Sequence, residues 1–233
     1  MKIKITGLLC LLVIAISAYA QADENSDNFA QELIQAADES QAIDHTKSLL
    51  ERNLAHNIPI DWQNESGYTA LHYAVLRKNV PLVQLLLEAG ANPNKLNRFG
   101  FTPFMYSFDD TKNIAIVQLL LDHGANVNQR VGRSGSTPFI YLIGRGRPSP
   151  EVIMLLINAG ANVNVQMDDG STPLHEAAAY GNRQVAEILI ANGADPMHKT
   201  NKGQTPADYA RLRDHIDLAN FLEQKISFSQ EPL

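Results

Sequence analysis

Between Gly170 and Asn192 the apolar positions fall into two short helical stripes. Leu174, Ala177 and Ala178 share one face of the first, and Val185, Ile188 and Leu189 carry the i, i+3, i+4 spacing of the second. Thr172-Pro173 opens the first helix: a threonine hydroxyl caps free backbone N–H groups, and a proline at the first helical position loses no hydrogen bond. Gly181-Asn182 breaks that helix, and Asn192-Gly193 ends its partner, because glycine tolerates the left-handed cap conformation. The stretch that follows, up to Gly203, is polar and turn-rich, which predicts a projecting hairpin. The unit is a helix pair followed by a loop.

The same pattern recurs. Gly67-Tyr68-Thr69-Ala70, Gly100-Phe101-Thr102-Pro103, Gly135-Ser136-Thr137-Pro138, Gly170-Ser171-Thr172-Pro173 and Gly203-Gln204-Thr205-Pro206 follow one another at spacings of 33, 35, 35 and 33 residues. Gly90-Ala91-Asn92, Gly124-Ala125-Asn126, Gly160-Ala161-Asn162 and Gly193-Ala194-Asp195 interleave with them. A period of this length means one supersecondary unit stacked several times, since no single unit buries its own apolar face.

The unit resembles the ankyrin repeat. Thr172-Pro173-Leu174-His175-Glu176-Ala177-Ala178 matches that family's signature, and Thr69-Ala70-Leu71-His72-Tyr73-Ala74 nearly does; the resemblance covers residues 28–225. It implies an all-α ankyrin-repeat solenoid of paired antiparallel helices with projecting β-hairpin loops, about six units including caps. The expected organisation is capping helices over 21–60, four repeats over 61–197, a capping repeat over 198–225 and a disordered tail over 226–233. Thr69, Thr102, Thr137, Thr172 and Thr205 take the capping position of the motif, and His72 and His175 take its histidine, which braces the hairpin. In the last unit Asp208 stands in that place, and Arg211, Arg213, Asp214, His215 and Asp217 make a polar outer face, as a terminal repeat needs.

The second and third copies depart from the pattern. Thr69 to Val83 spans 15 residues, Thr102 to Val117 spans 16 and Thr137 to Ile153 spans 17. The additions fall between paired helices, near Phe108–Lys112 and near Gly144–Pro150. The third hairpin is longer by one: Gly124 to Gly135 is 11 residues where the other such intervals are 10. Insertions of this kind map to loops, often on the binding side. These copies also replace the motif histidine by Met105 and Ile140 and carry Phe104 and Phe139 where leucine is usual, which ordinary repacking of the core explains.

Partners of ankyrin proteins, the resemblance implies, lie along the hairpin tips and the first-helix face. The candidate binding residues there are Tyr68, Arg98, Phe99, Phe101, Asp109, Asp110, Arg130, Arg133, Arg145, Arg147 and Tyr180. Tyr68, Phe99 and Phe101 with Arg98, read as solvent-facing, are residue types that dominate interface energetics. Packing between neighbouring hairpins is the other reading of the aromatics. Tyr73, Tyr106, Tyr141 and Tyr209 share one slot, with Glu176 breaking the series; packing between first helices is the favoured reading there.

The N-terminus adds an address. Lys2 and Lys4, the apolar run from Leu8 to Ser17, and Ala18-Tyr19-Ala20 before Gln21 form an export signal of bacterial style, so 1–20 is expected to be cleaved and the mature chain to be periplasmic or secreted. Cys10, the single cysteine, lies inside that run, so neither a disulfide nor a lipid is expected in the mature chain. Removing Lys2 and Lys4 leaves 17 basic against 25 acidic residues, a net charge of −8, which argues against nucleic acid as a partner. No membrane insertion is expected after cleavage.

The seven histidines lack metal-ligand spacing, and the catalytic motifs G-x-S-x-G, H-E-x-x-H and the Walker loop are missing from the sequence. Asp109-Asp110 and Asp168-Asp169 read as solvated carboxylates. The expectation is a non-catalytic module with neither cofactor nor metal, monomeric when free, that binds one other protein to inhibit or stabilise it. Its concrete form is an immunity protein whose aromatic tip and arginine loops occlude an acidic active-site mouth. The alternatives are a periplasmic adaptor for a resident or stress-protection enzyme and a secreted effector acting on host proteins.

Overall fold

The repeated phrase folds as its capping chemistry dictates in a computed structural model, which describes residues 28, 30–39, 43–109, 114–132, 134–145 and 148–228, the side chains of Asp109 and of 226–228 aside. Residues 1–20, where an export signal is expected, and Asp110, Arg133, Arg147 and the residues after Phe228 lie outside the described residues. Twelve α-helices are described. They are α1 (30–38), α2 (Ile43–Ala55), α3 (Ala70–Leu76), α4 (Val80–Glu88), α5 (Pro103–Tyr106), α6 (Ile114–Asp122), α7 (Pro138–Gly144), α8 (Pro150–Asn158), α9 (Pro173–Ala179), α10 (Arg183–Ala191), α11 (Pro206–Arg211) and α12 (Ile216–Phe228). Helix α12 runs through 226–228, where the sequence suggested the start of a tail. Among the described residues there is no sheet, only an isolated bridge between Val131 and Ser136, and no helix is long and apolar enough to cross a membrane.

The chain divides into two units, residues 1–92 and 93–233. In the first, α4 packs on α2 and α3 around Leu49, Leu50, Leu71, Leu82 and Leu86, all buried. Thr69 starts α3: its hydroxyl accepts from the His72 N–H at 3.4 Å, while His72 Nδ1 accepts from the Thr69 N–H at 3.1 Å. This reciprocal pair satisfies two backbone donors that a helix start otherwise leaves open. Arg77, just past α3, donates to Asp38 Oδ1 at 2.6 Å, tying the capping helices to this repeat.

In the second unit the first helices form one row, α5 on α7, α7 on α9 and α9 on α11, and the second helices form another, α6 on α8 and α8 on α10. Phe104, Phe139, Leu142, Ile153, Leu156, Leu174 and Leu189 fill the space between the rows and are fully buried. Phe104 and Phe139 are thus accommodated as core residues. Thr102, Thr137 and Thr205 each accept from the backbone N–H three residues on, at 3.2, 3.3 and 3.3 Å. His175 completes the reciprocal cap on Thr172, and Asp208 does so on Thr205, its Oδ2 accepting from the Thr205 N–H at 2.8 Å. Met105 and Ile140 have no group for that role.

An asparagine ladder stitches successive copies of this unit together. Asn94 donates to the Gly124 carbonyl at 2.8 Å and accepts from the Asn126 N–H at 2.7 Å. Asn128 does the same to Gly160 and Asn162, and Asn164 to Gly193 and Asp195, every bond between 2.8 and 3.0 Å. The carbonyls involved are those of glycines at helix ends, such as Gly193 at φ +89°, so each side chain fills a vacancy that the helix terminus creates.

Candidate protein-binding face

The hairpin tips and the exposed side of the first-helix row in the second unit carry most of the candidate residues, and the backbone decides which of them face out. In the hairpin before α5, Asn97 Oδ1 accepts from the N–H groups of Phe99 and Phe101, each at 3.0 Å, and its amide donates to the Tyr106 hydroxyl at 3.0 Å. That turn projects Phe99, which is 64% exposed, with Arg98 also exposed beside it. Phe101 is turned back. Its ring lies 5.6 Å from Tyr106 and 5.4 Å from Tyr141, half-buried along the first-helix row. In the first unit Tyr68 is likewise half-buried, 5.4 Å from His72 and 5.2 Å from Tyr73. Of the three aromatics read as solvent-facing, Phe99 alone projects; Tyr68 and Phe101 are packing residues, because a tyrosine or histidine of the following helix offers each a ring face.

The third hairpin absorbs its extra residue at the tip. Elsewhere the closing bond joins residues four apart, as from Asn97 N–H to the Phe101 carbonyl; here it joins Val131 to Ser136 at 2.7 Å, with Gly132 at φ +67° within the loop. Arg130 does not reach out from this hairpin. Its guanidinium donates to the Gln166 carbonyl at 3.1 Å and to Asp168 Oδ1 at 2.7 Å, crossing over Gly135 to hold the next hairpin. Asn201 continues the series by donating to the Asp168 carbonyl at 3.0 Å.

Of the inserted segments, Phe108 and Pro148 are buried rather than exposed. After α5 a 3-10 turn over Ser107–Asp109 tucks Phe108 inward, 3% exposed, with its ring 5.0 Å from Phe104. Asp109 ends that turn. In the second insertion Pro148 is buried. Arg145 is exposed but held by its own helix, donating to the Tyr141 hydroxyl at 3.0 Å with its guanidinium carbon 5.7 Å from that ring's centre.

Two grooves open on the first-helix side, and they meet at one pair of residues. A groove of about 480 Å³ is lined by Tyr141, Arg145, Met167, Glu176 and Tyr180 among others. Its neighbour, about 400 Å³, is lined by Glu176, Tyr180, Tyr209, Leu212 and Arg213 among others. Tyr180 and Leu212 are large apolar surfaces left 51% and 66% exposed. Arg145 and Tyr180, both read from the sequence, are brought together here; Arg98 and Phe99 do not line either groove.

Glu176 was not singled out as a binding residue, although its break in the tyrosine series marked it. The neighbouring copies put Tyr141 and Tyr209 in that slot. Burial pushes the Glu176 carboxyl up from its ordinary range, Asp169 adds to the rise, and Arg213 opposes it. By contrast burial pushes the His175 imidazole down, against a 3.1 Å bond to the Gln204 carbonyl that favours its charged form. Since Nδ1 accepts from the Thr172 N–H at 3.2 Å, Nε2 carries the proton that His175 donates to Gln204. His175 is a brace. Among the described residues no group of histidine, cysteine or carboxylate side chains is arranged to hold a metal.

The repeat geometry agrees with a family model for ankyrin repeats in three copies, which matches residues 33–131 and 140–231. This chain belongs to the ankyrin repeat family. Among curated relatives, the B-cell lymphoma 3 protein homolog of Mus musculus is 28% identical over 88% of this chain and 38% of its own length. The tyrosine-protein kinase Shark of Drosophila melanogaster is 28% identical over 70% of this chain and 13% of its own. The chain therefore spans well under half of these larger proteins. A solved structure of the Bd0816 predatory endopeptidase from Bdellovibrio bacteriovorus in complex with immunity protein Bd3460 contains a similar chain. That likeness has a TM-score of 0.70 and 28% identity, covering 83% of this ankyrin chain and 97% of that one.

Proposed function

We propose that this protein is an exported, non-catalytic ankyrin binder that grips one partner protein, an endopeptidase of the cell envelope, and blocks it, in the manner of an immunity protein. The observation that carries the reading is the likeness, at a TM-score of 0.70 over 97% of the matched chain, to a chain of a solved complex between an endopeptidase and an immunity protein. The export signal over 1–20 agrees with it, because a binder of an envelope enzyme has to meet that enzyme outside the cytoplasm. The binding face is the first-helix side of the second unit, where Tyr180 and Leu212 expose apolar surface beside charged groups. Helices braced by caps and ladders lose little freedom when they engage, which favours tight binding.

The test is to titrate the purified protein against exported endopeptidases encoded in the same genome. Stoichiometric loss of activity in one of them is the expected result. Neither binding nor inhibition across the set would contradict the reading.

A further inference from the structure

Glu176 breaks the tyrosine column that the neighbouring copies share. The equivalent position is Tyr141 in the copy before it and Tyr209 in the copy after it, residues whose rings pack well in a half-buried slot. A carboxylate at such a position loses hydration and is destabilising unless something opposite in charge compensates. Nothing among the described residues does so by a direct bond. Arg145, which lines the first groove, is bonded to the Tyr141 hydroxyl, and among the described residues of this unit ion pairs join Arg130 to Asp168, Arg183 to Glu187 and Arg211 to Glu223. The carboxylate borders Gly144: a Cβ there would sit 3.5 Å from Glu176 Oε2, in ordinary contact. Aromatic rings from Tyr141 and Tyr180 line the groove on one side of Glu176, and Tyr180 and Tyr209 line the groove on the other.

We propose that these two grooves form a recognition slot for a basic side chain, a lysine or arginine presented by the partner protein, with the Glu176 carboxylate as acceptor and the tyrosine rings as walls. A cation beside aromatic faces and a carboxylate gains from both, and more so where water is partly excluded. The stem of a lysine or arginine is apolar and suits the flanks of Met167 and Leu212, while its charged end reaches the carboxylate. Arg145 lines one groove and Arg213 the other, and the two cations set a limit: they repel a second cation and select a single basic side chain over a cationic cluster. Burial raises the Glu176 carboxyl's proton affinity, Asp169 adds to the rise and Arg213 opposes it, so a further cation brought to the carboxylate would favour its charged form. This inference rests on the reading that the first-helix side of this unit is where the partner docks.

The probes are three capped tripeptides, Ac-Gly-Arg-Gly-NH2, its citrulline analogue and Ac-Gly-Glu-Gly-NH2, titrated into the isotope-labelled protein while amide resonances are followed by NMR. The arginine peptide should shift Tyr141, Glu176 and Tyr180. The citrulline peptide should bind about tenfold more weakly, as loss of a charge-assisted bond implies, and the glutamate peptide should leave these residues unmoved. Glu176→Gln should reduce the arginine response about tenfold, and Glu176→Tyr, which restores the residue of the neighbouring copies, should do the same in a chain that folds. Equal responses to arginine and citrulline, or an arginine response that survives both substitutions, would overturn the proposal. With the endopeptidase itself, loss of binding in Tyr180→Asp but not in Glu176→Gln would sink the slot and leave the docking face standing; unchanged binding in both would remove the face as well.

Discussion

Arg130 donates to Asp168 at 2.7 Å across a glycine, Gly135, whose missing side chain leaves the path open. A Cβ on Gly135 would lie 2.0 Å from the Arg130 terminal nitrogen and 2.4 Å from Asp168 Oδ1, and the residue sits at φ +66°. Gly135→Ala should therefore cost about 1–2 kcal/mol, mostly from the left-handed backbone, and should also displace the ion pair. Since the pair is more than half exposed on both sides, a double-mutant cycle on Arg130 and Asp168 alone should give a coupling within about 1 kcal/mol. Denaturant unfolding of the four variants measures both. A glycine substitution without cost would mean that the hairpin adopts another turn.

Leu174 and Leu189 are fully buried, one on each row of helices in the second unit. Truncating either to alanine removes apolar surface and leaves a cavity that rigid, capped helices close poorly. The expected loss is about 2–5 kcal/mol in each case, read from the shift of the denaturation midpoint.

Phe99 and Phe101 are two residues apart in one hairpin, yet their expected behaviour differs. Phe99→Asp should change stability by less than about 0.5 kcal/mol, since its ring is 64% exposed. Phe101→Asp places a charge between the rings of Tyr106 and Tyr141 and should cost about 1–3 kcal/mol. Thermal melts of both variants decide it. Equal effects would mean that the Asn97 turn does not hold the alternation described.

The two perturbed groups of α9 predict opposite pH dependences. His175 has its proton affinity lowered by burial, so the unfolded chain binds its proton more tightly. Its contribution to stability is present above the ordinary histidine range and is lost as pH falls from there through the depressed folded value. Glu176 has its proton affinity raised by burial, so its contribution is present below the ordinary glutamate range and is lost as pH rises through the elevated folded value. At neutral pH Glu176→Gln should therefore raise the melting temperature, by about 2–4 °C for each kcal/mol recovered, and the gain should shrink as pH falls through the carboxylate range. A gain that stays constant with pH would remove ionisation as its cause.

The helix pairs, their Thr-Pro starts and their glycine stops were legible in the sequence because those signals act within a few residues. Three features were not. Arg130 reads as a free cation on a loop, but its acceptor Asp168 belongs to the next hairpin and is 38 residues away. Phe108 sits in an inserted stretch that reads as a loop, but a 3-10 turn folds it onto Phe104. The asparagine ladder depends on carbonyls about one repeat away, and only the stacking of copies brings them within reach. Glu176 could have been found: a lone carboxylate in a column of tyrosines is a local inconsistency, and such breaks concentrate where a protein does something other than fold.

The most direct measurement is the affinity of the inhibited endopeptidase for the wild-type protein, for Tyr180→Asp and for Gln118→Ala, by calorimetric titration beside thermal melts. Tyr180 is 51% exposed where the two grooves meet, whereas Gln118 is an exposed residue of α6 on the second-helix row. The account predicts that Tyr180→Asp weakens binding at least about tenfold with its melting temperature unchanged, and that Gln118→Ala binds as the wild type does. Unchanged affinity in Tyr180→Asp, together with a loss in Gln118→Ala, would place the interface on the opposite row of helices and contradict the account.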